Sequence, residues 1–166
     1  MLAIRLVKTA MVASTALFAL LVAYNNLADY KSNYEFVHHT LSMDTTFPDN
    51  ALKGRAITSP ALWAFAYWSI ILAEAVTGLV LALGAFRLML ALRAPAAVFA
   101  AAKPYVVIGV GLGFLVWFTG FMVVGGEWFL MWQSKTWNGQ QAAFRFYMTL
   151  LAVGIFVSLR DGEPDA

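Results

Sequence analysis

Hydropathy along the chain alternates between long apolar runs and shorter polar intervals, and four of the runs approach the roughly 20 residues that a helix needs to cross a bilayer. The first extends from Val7 to Tyr24 and stops at Asn25, Asn26 and Asp29. The second opens at Ser59-Pro60, an N-cap residue followed by proline at the first helical position. It runs from Ala61 to Leu83, with an extension to Leu92, and only Glu74 interrupts its apolar part. The third follows Lys103-Pro104 and runs from Tyr105 to Val124, with an extension past Gly125-Gly126 to Trp132. The fourth covers Ala142 to Leu159, with Arg145 one turn inside its start. None of the four shows the period-two alternation of a transmembrane barrel strand. The pattern predicts an all-α, polytopic membrane protein in which residues 1–166 form a single integral membrane domain. Its four transmembrane helices bundle together, and the long first loop, from Asn25 to Ser59, folds as a cap over one end.

Composition changes this picture by exclusion. Hydrophobic residues make up 61% of the chain and charged residues only 12%, against roughly 25% charged in a soluble domain. Twenty charged side chains cannot cover a water-facing surface of this size, so lipid is the expected surrounding. The absence of cysteine removes disulfides, thiolate catalysis, Cys-bound zinc and iron–sulfur ligation together. Net charge is +2, yet the eleven Lys and Arg are scattered singly and form no stripe that could track phosphates. Nucleic acid is therefore not an expected partner; a membrane protein or a second copy of the chain is. The first run has a rival reading as a signal peptide, with Arg5 and Lys8 as its basic start and Leu21-Val22-Ala23 as a cleavage site. It is long for that role, and the uncleaved reading gives four helices.

Charge also sets an orientation. With the N-terminus in the cytoplasm, the inner side holds Arg5, Lys8, Arg87, Arg93, Lys103 and Arg160, and the outer side holds Lys31, Lys53, Arg55, Lys135 and Arg145. The outer positives are diluted by a long loop that also carries Asp29, Glu35, Asp44 and Asp49. The positive-inside rule then places both termini in the cytoplasm, with an acidic tail from Asp161 to Ala166.

Four features could carry chemistry. Glu74 is a carboxylate near the middle of a span, which is costly in lipid and marks a functional-site hypothesis. Helical spacing places Tyr67, Ile70, Ile71, Thr77, Gly78 and Leu81 on its side, with Thr119 or Thr149 at a similar depth as expected partners. It is read either as a proton- or cation-handling group or as one end of a structural hydrogen bond. The second feature is the segment from Gly125 to Gln140, whose Trp128, Trp132 and Trp137 read as an interfacial aromatic belt or as the wall of a docking groove. Trp128 and Trp132 would fall one turn apart on one helix side, and Glu127 would pair with Arg145 across the outer ends of spans three and four. Third, His38-His39 lies close to Glu35, Met43 and Asp44, but adjacent histidines point apart on a helix, so no metal site is expected. No histidine lies in a span, which excludes a bis-histidine membrane haem; no cofactor is expected. Fourth, Gly109 and Gly113 form a G-x-x-x-G, the signature of close helix contact within the bundle or between chains.

The run from Asn33 to Pro48, then Arg55-Ala56-Ile57, Tyr67 with Glu74, Gly126-Glu127-Trp128-Phe129, Trp137-Asn138-Gly139-Gln140 and Phe144-Arg145 resembles a family of predicted small bacterial integral membrane proteins known only as a domain of unknown function. The resemblance spans nearly the whole chain. It implies a four-helix protein of the bacterial inner membrane and draws attention to His39, Met43, Asp44, Arg55, Glu74, Glu127 and Arg145. Likeness to claudin-type proteins is architectural only, since their paired loop cysteines are missing here. The expected role is a non-enzymatic accessory or scaffold subunit of a membrane complex. The alternative is a small proton- or cation-coupled transporter that uses Glu74. A third reading is an enzyme or lipid-modifying factor under the cap, for which Glu127, Asp44 and His39 would have to converge.

Overall fold

The computed structural model describes residues 1–163. Its helices are α1 (Leu2–Ala28), α2 (Tyr30–Ser42), α3 (Pro60–Leu90), α4 (Ala96–Ala102), α5 (Pro104–Phe114), which runs directly on as a π-helix (Leu115–Trp128), and α6 (Gln140–Ser158). Short 3-10 turns occupy Lys53–Arg55 and Met131–Gln133. Four stretches are long and apolar enough to cross a membrane: Leu2–Ala28, Pro60–Leu90, Ala96–Trp128 and Gln140–Ser158.

The bundle is organised around α3. Its inward stripe of Tyr67, Ile71, Glu74, Gly78, Leu81, Ala85 and Leu88 repeats every three or four residues and meets the matching stripe of α1, Val12, Ala16, Ala19 and Ala23. With lipid outside, helix association depends on close packing more than on water exclusion, and small residues permit it. A Cβ on Gly78 would lie 3.0 Å from the backbone nitrogen of Leu20, and one on Gly109 2.7 Å from the Leu81 side chain. A Cβ on Gly113 would meet Leu150 of α6. The G-x-x-x-G of α5 is thus spent inside the bundle. Leu17, Leu21, Leu72, Leu79 and Ile155 stay exposed on the outer faces, as lipid-facing residues should.

The helices run beyond the apolar runs because polar residues at their ends find partners within the fold. Arg5, fully buried, donates to the carbonyls of Leu92 (3.1 Å), Ala94 (2.6 Å) and Gly162 (2.8 Å). Lys8 donates to Leu159 O at 2.7 Å and pairs with Asp161 at 2.9 Å, while Lys103 pairs with the other Asp161 oxygen. Both chain ends and the α3–α5 connection therefore meet at one end of the bundle. Asp161, which the sequence places in an acidic tail, is 2% exposed between two ammonium groups; residues 164–166 of that tail lie outside the described residues. Burial pushes its carboxyl up, and the hydrogen bonds and charges of Lys103 and Lys8 more than reverse this, holding it below its ordinary value.

Span three departs from expectation. It is not a plain α-helix to Trp132: from Leu115 it winds as a π-helix, closed by Phe129 N–H donating to Val124 O at 3.0 Å, and it stops where Leu130 takes a left-handed φ of 55°. Five-residue bonding of this length is rare. Glycines at 111, 113, 120, 125 and 126 weaken the α preference along the whole stretch. The break puts Trp132 in a separate turn, so Trp128 and Trp132 do not share a helix side. At the start of α3, Ser59 holds the N-cap position but only its carbonyl is used, accepting from the Leu62 and Trp63 N–H groups.

Candidate functional site

Glu74 faces inward, 2% exposed. Its partner is neither Thr119 nor Thr149. Asn26, from the last turn of α1, donates its amide Nδ2–H to Glu74 Oε2 at 2.7 Å, and Tyr67 O–H donates to the Asn26 carbonyl at 2.8 Å. Thr149 instead bonds back to Arg145 O in its own helix. In the sequence Asn26 reads as the end of the first span, because a polar residue after an apolar run looks like an exit from lipid. The available signal was its three-residue spacing from buried Ala23, which keeps it on the inward stripe of α1.

Beside this triad lies a cavity of about 190 Å³ whose lining runs from Glu74, Asn26 and Tyr67, past Trp117 and Phe121, to Asn33 and Ala142. Asn33 and Ala142 are exposed, whereas Glu74 is at the buried end. On the far side of Glu74 the stripe continues with Thr77, whose hydroxyl donates to Ala73 O in its own helix, then Gly78, Leu81 and Leu88. Among the described residues no polar relay leads from Glu74 to the other end of the bundle.

The second assembly is at the end opposite the termini. Amphipathic α2 buries Val37, Thr40 and Leu41 and packs with Met43 against Tyr67, Ile71, Phe129 and Leu130. Met43 is fully buried in a left-handed turn (φ 53°). Beyond it the first loop is tied to the Trp-rich segment by several bonds. Thr45 donates to Ser134 Oγ at 2.9 Å, Phe47 N–H to Gln133 Oε1 at 3.0 Å, and Arg55 to Trp128 O at 3.2 Å. The Arg55 guanidinium also lies 4.5 Å from the Trp128 ring centroid, and Phe47 meets Trp132 edge-on at 5.8 Å. Gln133 and Ser134 lie in the segment that the sequence marks as a docking groove, but their role of joining the loops is not legible there, because each does so through a single long-range bond.

Four rings stack across this surface: Trp63 of α3, His38, His39 and Trp137, with successive centroids 4.0, 4.6 and 4.7 Å apart. The expectation that adjacent histidines diverge is overturned here, because the two indoles clamp the imidazoles between them. Both then lie over one carboxylate: Glu35 Oε2 is 3.0 Å from His38 Nδ1 and 3.8 Å from His39 Nε2. His39 Nδ1 is 2.7 Å from Asp44 Oδ2. The hydrogen bond with His38 outweighs the desolvation that would raise the Glu35 carboxyl and holds it below its ordinary value.

Two further expectations fail. Among the described residues Glu127 and Arg145 form no ion pair; both are exposed, Glu127 at the C-terminal end of the π-helix and Arg145 on the face of α6 away from buried Ala143 and Tyr147. Glu127 also joins neither His39 nor Asp44 among the described residues, so the three do not converge.

The family model described as "Predicted small integral membrane protein (DUF2165)" matches residues 4–160. The chain belongs to that family of small membrane proteins. No curated protein and no solved structure matches it.

Proposed function

We propose that this protein is a non-enzymatic accessory subunit of a membrane complex, with both termini in the cytoplasm and its working surface on the outside, where α2 and the two loops cap the bundle. The observation that carries this reading is the contrast between the two ends. At the terminal end Arg5, Lys8, Lys103 and Asp161 are consumed by one another and by backbone carbonyls. At the other end a cross-bonded, aromatic surface leaves Phe47, Trp128 and Trp132 about half exposed. The internal carboxylate is occupied by Asn26, which fits a structural role for Glu74. The test is the size and composition of the complex extracted in native-membrane nanodiscs. A stoichiometric partner or second copy, lost when Phe47 and Trp132 are both replaced by alanine in a chain that still folds, supports the reading. A lone monomer overturns it.

The cavity beside Glu74 favours a second reading, a proton- or cation-coupled transporter entered from the Asn33 side. Glu74→Gln, which keeps an acceptor for Asn26, separates the two: lost flux in proteoliposomes with assembly intact supports transport, whereas no coupled flux in the wild type together with assembly lost only in Glu74→Leu supports the structural role.

A further inference from the structure

We infer that Glu35, His38 and His39 on α2 form a binding site for a divalent first-row transition ion, of which Zn²⁺ is the type case. The donor set has the right chemistry, since two imidazole nitrogens and one carboxylate oxygen are common zinc ligands. Helical spacing supplies the geometry: positions i, i+3 and i+4 put Glu35 beneath both rings. One ligand atom from each residue lies within 4.8 Å of the others. A tetrahedral ion with bonds of about 2.0–2.1 Å needs donors roughly 3.3 Å apart. The two Glu35 contacts, at 3.0 and 3.8 Å, bracket that spacing; because the imidazoles stack only 24° from parallel, ligation by both requires one ring to turn out of the stack.

Two further features point to a metal rather than to a plain ion-pair cluster. Asp44 lies 2.7 Å from His39 Nδ1, so that nitrogen carries the proton and Nε2, on the Glu35 side, keeps its lone pair for the ion. A carboxylate bonded to the non-ligating nitrogen of a histidine is the usual outer support of a metal ligand. The flanking rings of Trp63 and Trp137 also keep both imidazoles beside Glu35. His38, His39 and Glu35 are each a quarter to a third exposed, which gives an ion access from solvent. Three protein ligands leave a fourth position for water or for a donor from a partner.

The experiment is Zn²⁺ titration of the tag-free full chain in nanodiscs by calorimetry, with Co²⁺ as a spectroscopic probe. The expected result is saturable binding of one Zn²⁺ per chain and tetrahedral Co²⁺ absorption bands. His38→Phe and His39→Phe keep an aromatic ring in the stack and remove the ligand nitrogen, so they separate ligation from folding; each should weaken binding at least tenfold, as should Glu35→Gln. Asp44→Asn should weaken it about 10- to 100-fold with stoichiometry unchanged. Absence of saturable binding to the folded chain would overturn the site. So would wild-type affinity in Glu35→Gln or in either phenylalanine variant, since the ion would then be held elsewhere on the surface.

Discussion

Removing the Glu74 carboxylate and removing its charge are different experiments, because the group accepts a hydrogen bond from a buried amide. Glu74→Gln retains a carbonyl oxygen for Asn26 and should melt close to the wild type. Glu74→Leu leaves the Asn26 N–H without an acceptor in the core and should cost about 1–3 kcal/mol. Thermal unfolding of both variants checks this, and equal losses would show that the charge itself is needed. Asp161 belongs to a tighter arrangement, in which one carboxylate pairs with two lysines at the terminal end of the bundle. Asp161→Asn should destabilise by about 3–5 kcal/mol, as removal of one member of a buried pair does. Its folded value lies below the ordinary 3.8, so its contribution is complete above that pH and is lost as the pH falls through the lower folded value. The gap in melting temperature between wild type and Asp161→Asn should therefore narrow on acidification below 3.8.

Helix packing turns on positions where a single Cβ decides. Gly78 brings α3 against the backbone of α1, whereas Gly111 on α5 has nothing within 4 Å of an added Cβ. Gly78→Ala should destabilise the bundle by about 1–3 kcal/mol through overpacking. Gly111→Ala should be neutral or stabilising by about 0.5–1 kcal/mol, since it relieves only the helix cost of glycine. Comparing the two melting curves measures helix contact with helix propensity as its control. The π-helical half of span three is the element whose winding periodicity could not anticipate. Its composition is apolar on nearly every side, so no amphipathic pattern distinguishes four-residue from five-residue bonding.

For the molecule as a whole, the even number of spans and the meeting of both ends at one pole leave a single binary choice of orientation. The cysteine-free chain makes it easy to read. Single cysteines replacing the exposed Asp49 or Lys135 should react with a membrane-impermeant maleimide in intact cells, and one replacing exposed Arg93 should react only after lysis. The reverse pattern would invert the proposed topology and place the α2 surface, with its histidine cluster, in the cytoplasm.

What the sequence determined by itself was the solvent, the class and the count: 12% charge and four long apolar runs admit few solutions other than a helical bundle in lipid. It also singled out Glu74, because a lone acid in a span stands out against any background. Tertiary structure decided the partners. Asn26 reaches Glu74 across 48 positions of sequence, Asp161 reaches Lys8 across 153, and Trp63 and Trp137 converge on two histidines from opposite sides. Local spacing predicts only what shares a helix face. The Glu127–Arg145 pair fails for the same reason that Trp63 and Trp137 meet the two histidines: which side chains from separate elements meet depends on how those elements are turned against one another, and spacing along one helix does not set that.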